Sequence, residues 1–323
     1  MNQTADKFFN RPDRSRDPVF LKLPGRRVNL IMLTLILSAL ITGLGLGSMY
    51  GLLALGYCVT YSVSETVNFA QGSSMMLGAV VCFSFGVTFG WNMPSSIAIA
   101  LVACACWGVL VERFAVRPFA KAGSNMWLMS TVAAGIVLEN AALFTFGKEP
   151  RMLPSILSTR PVTVAGIGIL PLQILIPVIG LLLGVALHLI SRRTKQGKAM
   201  LAVVQNPDAS RLLGINVQAA IVVSYIVSTV FAGIAGILIA PLFNVSSDMG
   251  TMFGIKAFAA AILGGITSPW GVMVAGIIYG IAESLITGLF GSPYTYILTF
   301  SVVIVALAIM PNGLFGRARV KKV

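Results

Sequence analysis

Charged side chains are scarce in this chain of 323 residues, of which only 10% are Asp, Glu, Lys or Arg. A soluble domain carries about 25%. Hydrophobic residues make up 57% of the chain, and its mean hydropathy is +0.90. A soluble or disordered chain is therefore excluded, because polar surface cannot cover so much apolar sequence. At about 20 residues per spanning helix, the sequence predicts an all-α polytopic membrane helix bundle with eight to ten transmembrane helices, some broken or re-entrant.

The residues that build catalytic and metal sites are also few. Histidine occurs once, at His188, which leaves too few partners for a His-rich metal site or a Ser–His–Asp triad. The sequence has no Gly-x-x-x-x-Gly-Lys-Ser/Thr phosphate loop, so the chain is predicted not to hydrolyse ATP itself. We expect no enzymatic activity, no metal and no cofactor. The four cysteines lie in apolar segments and are interpreted as packing thiols: Cys58, Cys82, Cys104 and Cys106.

The basic residues are concentrated in a few segments. Residues 1–27 hold seven, 112–125 three, 191–217 five and 317–323 four, while 147–166 holds three. The positive-inside rule places the first four segments in the cytoplasm and 147–166 outside. Membrane topology explains the net charge of +13 better than nucleic acid, which is not an expected partner. Both termini are predicted to be cytoplasmic, and this requires an even number of spans, eight or ten.

The chain divides into a flexible basic cytoplasmic arm at 1–27, a membrane domain at 28–316 and a basic cytoplasmic tail at 317–323. Val28–Ser64 has no charge over 37 residues, and as one helix it would measure about 55 Å. Because the bilayer core is only ~30 Å thick, its glycines are predicted to break it. Gly43, Gly47 and Gly51 also share one helical face, which predicts tight packing. The predicted spans are 28–47, 48–64, 68–90, 95–116, 126–146, 168–190, 219–241, a broken stretch within 252–282 (two short spans or a re-entrant hairpin) and 294–311.

Two interruptions of apolar sequence, at 67–72 and 264–269, lie one in each half of the chain. Unwound backbone at membrane depth is tolerated only where it is buried in protein or lines a cavity. Interrupted helices in both halves indicate a transport pathway. The candidate pathway residues in these interruptions are Asn68, Gln71, Gly264 and Gly265.

Glu139, Lys256 and Glu283 lie within apolar stretches. Charges at membrane depth are costly and are candidates for a function, here in the translocation pathway or its gate. Lys256 either pairs with a glutamate inside the bundle or extends its ammonium group to the membrane surface. These charges also keep open an alternative function, a stand-alone secondary transporter or channel for a small polar solute.

Residues 191–217 form the longest polar stretch between spans. Asp208 follows Pro207 as an early acid of a short helix, and Gly214 suits its C-terminal cap. Residues 199–204 predict a second short amphipathic helix. Two short helices favour a docking element for a soluble partner, although an ordinary basic loop would have the same composition.

Within this loop, Asp208-Ala209-Ser210-x-x-x-Gly214 resembles the EAA-x-x-x-G motif of ABC importer permeases. The flanking segments, Thr194–Met200 and Leu213–Asn216, are similar to those of the branched-chain amino acid permeases. Three further segments agree with that family in the same order along about residues 40–317. They are Ala54–Tyr57 leading to Asn68–Gly72, Lys256–Gly265, and Pro311–Gly316. Ser73 departs from the family, since an acidic residue is frequent there.

The resemblance implies a permease subunit of a bacterial inner-membrane importer. Its partners would be cytoplasmic ATP-binding subunits, a second permease subunit, an extracytoplasmic solute-binding protein and the lipid bilayer. The solute would be a branched-chain or other hydrophobic amino acid, a small amide or urea. The residues implied in coupling to the ATPase are Gly197, Ala199, Asp208, Ala209, Ser210 and Gly214.

Overall fold

Helices make up nearly all the regular structure of the computed structural model, which describes residues 25–155, 158, 161–164, 167–310 and 312–316. The predicted tail at 317–323 and residues 1–24 of the predicted arm lie outside these residues, whereas residues 25–27 begin the first helix. The helices are α1 (Gly25–Ser64), α2 (Gln71–Phe83), α3 (Met93–Leu110), α4 (Arg117–Lys121), α5 (Trp127–Phe146), α6 (Pro171–Arg193), α7 (Lys195–Gln205), α8 (Pro207–Leu212), α9 (Val217–Ile239), α10 (Met249–Gly264), α11 (Pro269–Phe290) and α12 (Ser292–Ile309).

Two π-helical turns extend the helices near the start of the chain: Ser84–Thr88 follows α2, and Val111–Val116 joins α3 to α4. The strands β1 (Val162–Val164) and β2 (Ile167–Ile169) pair antiparallel. Among the described residues, eight helical segments are long and apolar enough to cross a membrane, and α10 is a shorter apolar helix. The prediction of an all-α membrane bundle is therefore confirmed.

The prediction that Val28–Ser64 breaks into two spans is wrong, because α1 is continuous over 40 residues. Its glycines serve packing instead. A Cβ on Gly43 would lie 2.6 Å from the Cα of Ile281, and one on Gly47 would lie 2.6 Å from the Cα of Ile277. The backbones of α1 and α11 thus touch, as the shared glycine face predicted. A glycine in contact with a partner helix does not need to break its own helix.

Helix α1 forms the centre of the bundle and packs against α6, α9, α10 and α11. Helix α9 packs in turn on α1, α2 and α3. The middle of α1 is buried on all sides, unlike a helix that faces lipid, and Tyr50 and Tyr57 are among its fully buried side chains. Of the cysteines, Cys58, Cys82 and Cys104 are buried and Cys106 is exposed, so the packing interpretation fits only the first three.

The two ends of the described chain lie at opposite faces of the bundle. We call the end that carries α7 and α8 the loop face, and the end that carries β1 and β2 the hairpin face. Helix α1 runs antiparallel to α11, since Leu35 lies next to Gly288 and Gly51 next to Met273. Its last turn lies at the loop face, where Val63 packs against Val203 of α7.

The described C-terminal residues 312–316 also lie at the loop face, next to Gly265 and the start of α11. Within the described residues, the chain therefore begins at the hairpin face and ends at the loop face, while the cytoplasmic location of both termini stays a prediction. The prediction counted α1 as two spans. In the described residues α1 is one continuous helix, and it is one of eight helical segments long enough to cross a membrane, beside the shorter α10.

Candidate functional site

The loop between α6 and α9 folds into the two predicted short helices. Thr194 caps α7, and its Oγ1 accepts a hydrogen bond from the Gly197 amide at 2.9 Å. Asn206 caps α8, and its Oδ1 accepts from the amides of Asp208 and Ala209 at 3.1 and 3.0 Å. Each helix therefore begins at a side chain that satisfies its first free amides.

Two glycines fix the shape of this loop. Gly197 is buried, and a Cβ there would lie 2.2 Å from the Ile190 carbonyl oxygen, so only glycine lets α7 fold back against the end of α6. Gly214 has φ +81°, a conformation that favours glycine. Its amide donates to the Arg211 carbonyl at 3.0 Å and ends the turn before α9.

The loop presents both buried and exposed surfaces. Ser210 is buried, and its Oγ donates to the Asn206 carbonyl at 2.8 Å. Leu212 and Leu213 are 90% and 78% exposed. Of the other predicted coupling residues, Ala199 is half-buried, while Asp208, Ala209 and Gly214 are exposed. Exposed leucines in an otherwise polar and basic loop are typical of a surface that a partner covers.

The interruption between α1 and α2 is held from within the bundle. Gln71 and Asn68 are fully buried. The Gln71 amide donates from Nε2 to the Ser228 carbonyl at 3.0 Å, and the Ser228 hydroxyl donates to Gln71 Oε1 at 2.8 Å. Asn68 Oδ1 accepts from the Ala70 amide at 3.1 Å, whereas its buried Nδ2 has no hydrogen-bond partner among the described residues.

The interruption between α10 and α11 is closed by residues 312–316. Gly264 is the last residue of α10, and Gly265 follows with φ +81°. A Cβ on Gly265 would lie 2.5 Å from the Gly316 amide nitrogen, and the Leu314 amide donates to the Leu263 carbonyl at 2.7 Å. Both predicted breaks are thus present, and both are covered by protein.

Glu139 of α5 joins three helices. Its Oε1 accepts from the Ser73 hydroxyl of α2 at 3.1 Å and from the Thr251 hydroxyl of α10 at 2.7 Å. Glu139 is half-buried and Thr251 is exposed. The carboxylate therefore lies at the edge of the bundle, near the hairpin-face end of α10.

Lys256 and Glu283 form the ion pair that was one of the two interpretations of the sequence. Lys256 Nζ lies 2.5 Å from Glu283 Oε1, and the Tyr50 hydroxyl donates to Glu283 Oε2 at 2.9 Å. Both charged residues are 7% exposed, so Lys256 does not extend to a membrane surface. Its Nζ also lies 4.5 Å from the centre of the Tyr296 ring, within reach of a cation–π interaction.

A cavity of about 620 Å³ opens beside this pair, among α1, α10, α11 and α12. Hydroxyl groups and apolar side chains share its wall, including Thr42, Phe253, Ser284 and Thr295. The structure therefore joins Lys256 and Glu283 in one site. Glu139, Gln71 and the two glycines of the second interruption belong to other parts of the bundle.

Sequence reasoning missed one charged cluster, at the loop face. Glu112 is 1% exposed, and it accepts hydrogen bonds from Arg117 of α4 and from Gln218 of α9. The segment was interpreted only through its basic residues. A lone acid at the end of an apolar span was the signal that could have identified this cluster.

Comparison with known proteins agrees with this architecture. Residues 39–307 match the family described as "Branched-chain amino acid transport system / permease component". The chain is 32% identical over 300 residues to the high-affinity branched-chain amino acid transport system permease protein LivH of Escherichia coli K12. The match covers 89% of this chain and 97% of LivH. The permease protein BraD of Pseudomonas aeruginosa is 31% identical, with 89% and 98% covered.

A more distant relative is the galactose/methyl galactoside import permease protein MglC of Haemophilus influenzae, which is 31% identical over 125 residues and 36% of this chain. No solved structure matches the chain. The family match covers most of the chain, and the LivH and BraD matches extend over nearly their full lengths. The chain therefore belongs to the branched-chain amino acid transport permease family, whose members are membrane-spanning transporter subunits.

Proposed function

We propose that this chain is the permease subunit of an ATP-driven ABC importer for branched-chain amino acids. The observation that carries the proposal is the two-helix loop of α7 and α8. It is anchored through Val203 and exposes Leu212 and Leu213 beside the EAA-like segment 208–214. Such a surface fits a groove on a cytoplasmic ATP-binding subunit. The substrate class comes from the names of the relatives, and other hydrophobic amino acids, small amides and urea are the alternatives.

The remaining partners follow from the same proposal. The chain would pair in the lipid bilayer with a second permease subunit and would receive solute from an extracytoplasmic binding protein. ATP would be used by the ATP-binding subunits, with no cofactor on this chain. Binding of ATP would displace the loop and shift the permease between outward-open and inward-open states.

The proposal also orients the bundle. If the loop face is cytoplasmic, the basic segments at 112–125 and 191–217 lie inside, as the positive-inside rule requires. Residues 312–316 also lie inside, and the start of α1 lies outside. The basic residues of the arm would then oppose this orientation, because the rule also counts basic residues within about 15–20 positions of a span.

Within the bundle, Asn68, Gln71, Glu139, Lys256, Gly264, Gly265 and Glu283 remain the proposed pathway or gate residues. The buried Lys256–Glu283 pair also favours a second candidate function, a stand-alone secondary transporter. A charged pair held beside a cavity at membrane depth is a common device for ion coupling. That function leaves the exposed leucines of the loop without a role.

The test begins with a tagged chain purified in mild detergent from its native membrane. The importer proposal expects an ATP-binding subunit and a second permease in the preparation. It also expects uptake of radiolabelled leucine, isoleucine and valine into proteoliposomes only when ATP is present on the loop side. Purification of this chain alone, under conditions that keep a known ABC complex intact, would favour the secondary transporter.

Gly214→Pro separates the two functions further. Proline fixes φ near −65°, whereas Gly214 has φ +81°, so the turn before α9 must change. The importer proposal expects ATP-dependent uptake to be abolished while the protein still inserts. The matched control is Gly123→Pro, because Gly123 has φ +65° and, like Gly214, has no other atom within 4 Å of an added Cβ. Unimpaired uptake by Gly214→Pro would count against the importer.

A further inference from the structure

Glu112 is a buried carboxylate that neither the proposed pathway nor the proposed docking surface uses. Arg117 donates to it twice, from Nε to Oε1 at 3.1 Å and from Nη2 to Oε2 at 2.7 Å. Gln218 Nε2 donates to Oε1 at 2.6 Å. A buried charge is costly unless it is paired and hydrogen-bonded. These donors meet that requirement, and they tie the end of α3 to the first turn of α9.

The π-helical turn Val111–Val116 makes this geometry possible. Glu112 and Arg117 are five residues apart, and in an α-helix they would point about 140° away from each other. In a π-turn the backbone bonds join residues five apart, which brings the two side chains to one side. Pro118 has no amide to donate to the preceding turn, and Ser130 of α5 donates to the Ala115 carbonyl there. The local backbone is thus arranged around the Glu112 carboxylate.

Gln218, the partner of Glu112 on α9, is the second residue of that helix. It directly follows the loop that carries α7 and α8, which we call the docking loop. A carboxylate at the N-terminal turn of a helix is stabilised by the helix dipole. On the other side of this turn, Val217 packs against Val203 of α7 and Val63 of α1. The start of α9 is therefore held both by the docking loop and by Glu112.

Ser228 lies further along the same helix α9, and its hydrogen bonds hold Gln71 at the interruption before α2. We propose that Glu112 is a positioning residue for energy coupling, and that it joins α3 and α9 so that both move with the docking loop. The inference rests on the proposed function, since it requires an ATPase that displaces the loop. Without the Glu112–Gln218 bond, the displacement would be absorbed at the start of α9, and ATP would be hydrolysed with less transport.

Gln218→Leu tests this directly, because it removes the bond to α9 and leaves Glu112 paired with Arg117. The complex purified through this chain is placed in proteoliposomes, and the branched-chain amino acids taken up are measured per ATP hydrolysed. We expect this ratio to fall about tenfold, as the loss of one hydrogen bond to a charge implies, while ATP hydrolysis continues. Gln218→Lys keeps a donor for Glu112 and is expected to restore most of the ratio.

The matched control is Asn92→Ala, at the start of α3 on the hairpin face. Asn92 also holds a helix start, since its Oδ1 accepts from the Ser95 amide at 3.3 Å, and it lies outside the sites described above. We expect its ratio of uptake to ATP hydrolysis to equal that of the wild type. A variant of Gln218 that assembles poorly but keeps the wild-type ratio would assign Glu112 a structural role only and overturn the inference. If the wild-type complex itself shows no ATP-driven uptake, the proposed function fails, and this inference fails with it.

Discussion

Gln71 and Ser228 hold each other by two hydrogen bonds, one from the Gln71 amide to the Ser228 carbonyl and one from the Ser228 hydroxyl back to Gln71 Oε1. Gly56 of α1 makes room for this pair, because a Cβ there would lie 2.0 Å from Gln71 Nε2. Three helices thus meet at the residue where α2 begins, and the backbone interruption before it is fixed in place.

Ser228→Ala should therefore destabilise the bundle. The substitution removes the hydroxyl donor and leaves Gln71 Oε1 buried without that bond. Interhelical hydrogen bonds in membranes contribute about 0.6 kcal/mol on average and up to about 1.7, so we expect a small but measurable fall in the thermal midpoint in detergent. Ser301→Ala is the control, since Ser301 is exposed and bonds only within its own helix, to Ile297. An equal effect at both positions would contradict the role of the Gln71–Ser228 pair.

Gly47→Ala should be poorly tolerated. The added methyl would lie 2.6 Å from the Ile277 Cα and 2.7 Å from the Ile277 carbonyl oxygen, so two backbones must separate. Overpacking costs about 1–3 kcal/mol, and we expect less folded protein and a lower thermal midpoint. Gly45→Ala is the matched control, two residues away, where the nearest atom is 3.4 Å distant. A stable Gly47→Ala protein would show that α1 and α11 pack less closely than described.

Lys256→Met should be more damaging than the double variant Lys256→Met/Glu283→Gln. The single change leaves Glu283 as a buried charge with Tyr50 as its remaining donor, and a broken buried pair costs about 3–5 kcal/mol. The double change removes both charges, so the thermal midpoint should recover.

Uptake by the double variant decides the role of this pair. If the charges belong to the pathway or its gate, we expect transport to stay impaired although stability has returned. Wild-type transport by the double variant would assign Lys256 and Glu283 to structure alone.

The two ends of the chain should be labelled from opposite sides of the membrane. We expect Asn10→Cys to react with an impermeant maleimide added outside the cell, and Arg319→Cys to react only after permeabilisation. The reason is that, among the described residues, α1 begins at the hairpin face and residues 312–316 lie at the loop face. The parent chain is a control for its own cysteines, of which only Cys106 is exposed among the described residues. Protection of Asn10→Cys from the outer reagent would restore the prediction of two cytoplasmic termini.

The sequence by itself determined the class of the protein and much of its local structure. Composition determined that the chain forms a membrane bundle, because a soluble fold has too little polar surface to cover a chain that is 57% hydrophobic. Local chemistry determined the helices of the docking loop, since Thr194 and Asn206 cap helices through neighbouring amides. The interruption at Gly264 followed from its glycines and a nearby proline. Each of these signals acts within a few residues.

The tertiary structure decided what depends on distant partners. The glycines of α1 could either break the helix or allow another helix to pack closely against it. They do the second, because the backbone of α11, more than 200 residues away in sequence, lies against them. That choice made residues 28–64 part of one continuous helix in place of two spans. The partner of Lys256 and the role of Glu112 were likewise set by helices distant in sequence. A buried charge needs a partner, and a glycine in a helix allows another backbone to pack closely. Only the folded chain determines which residue is that partner or neighbour.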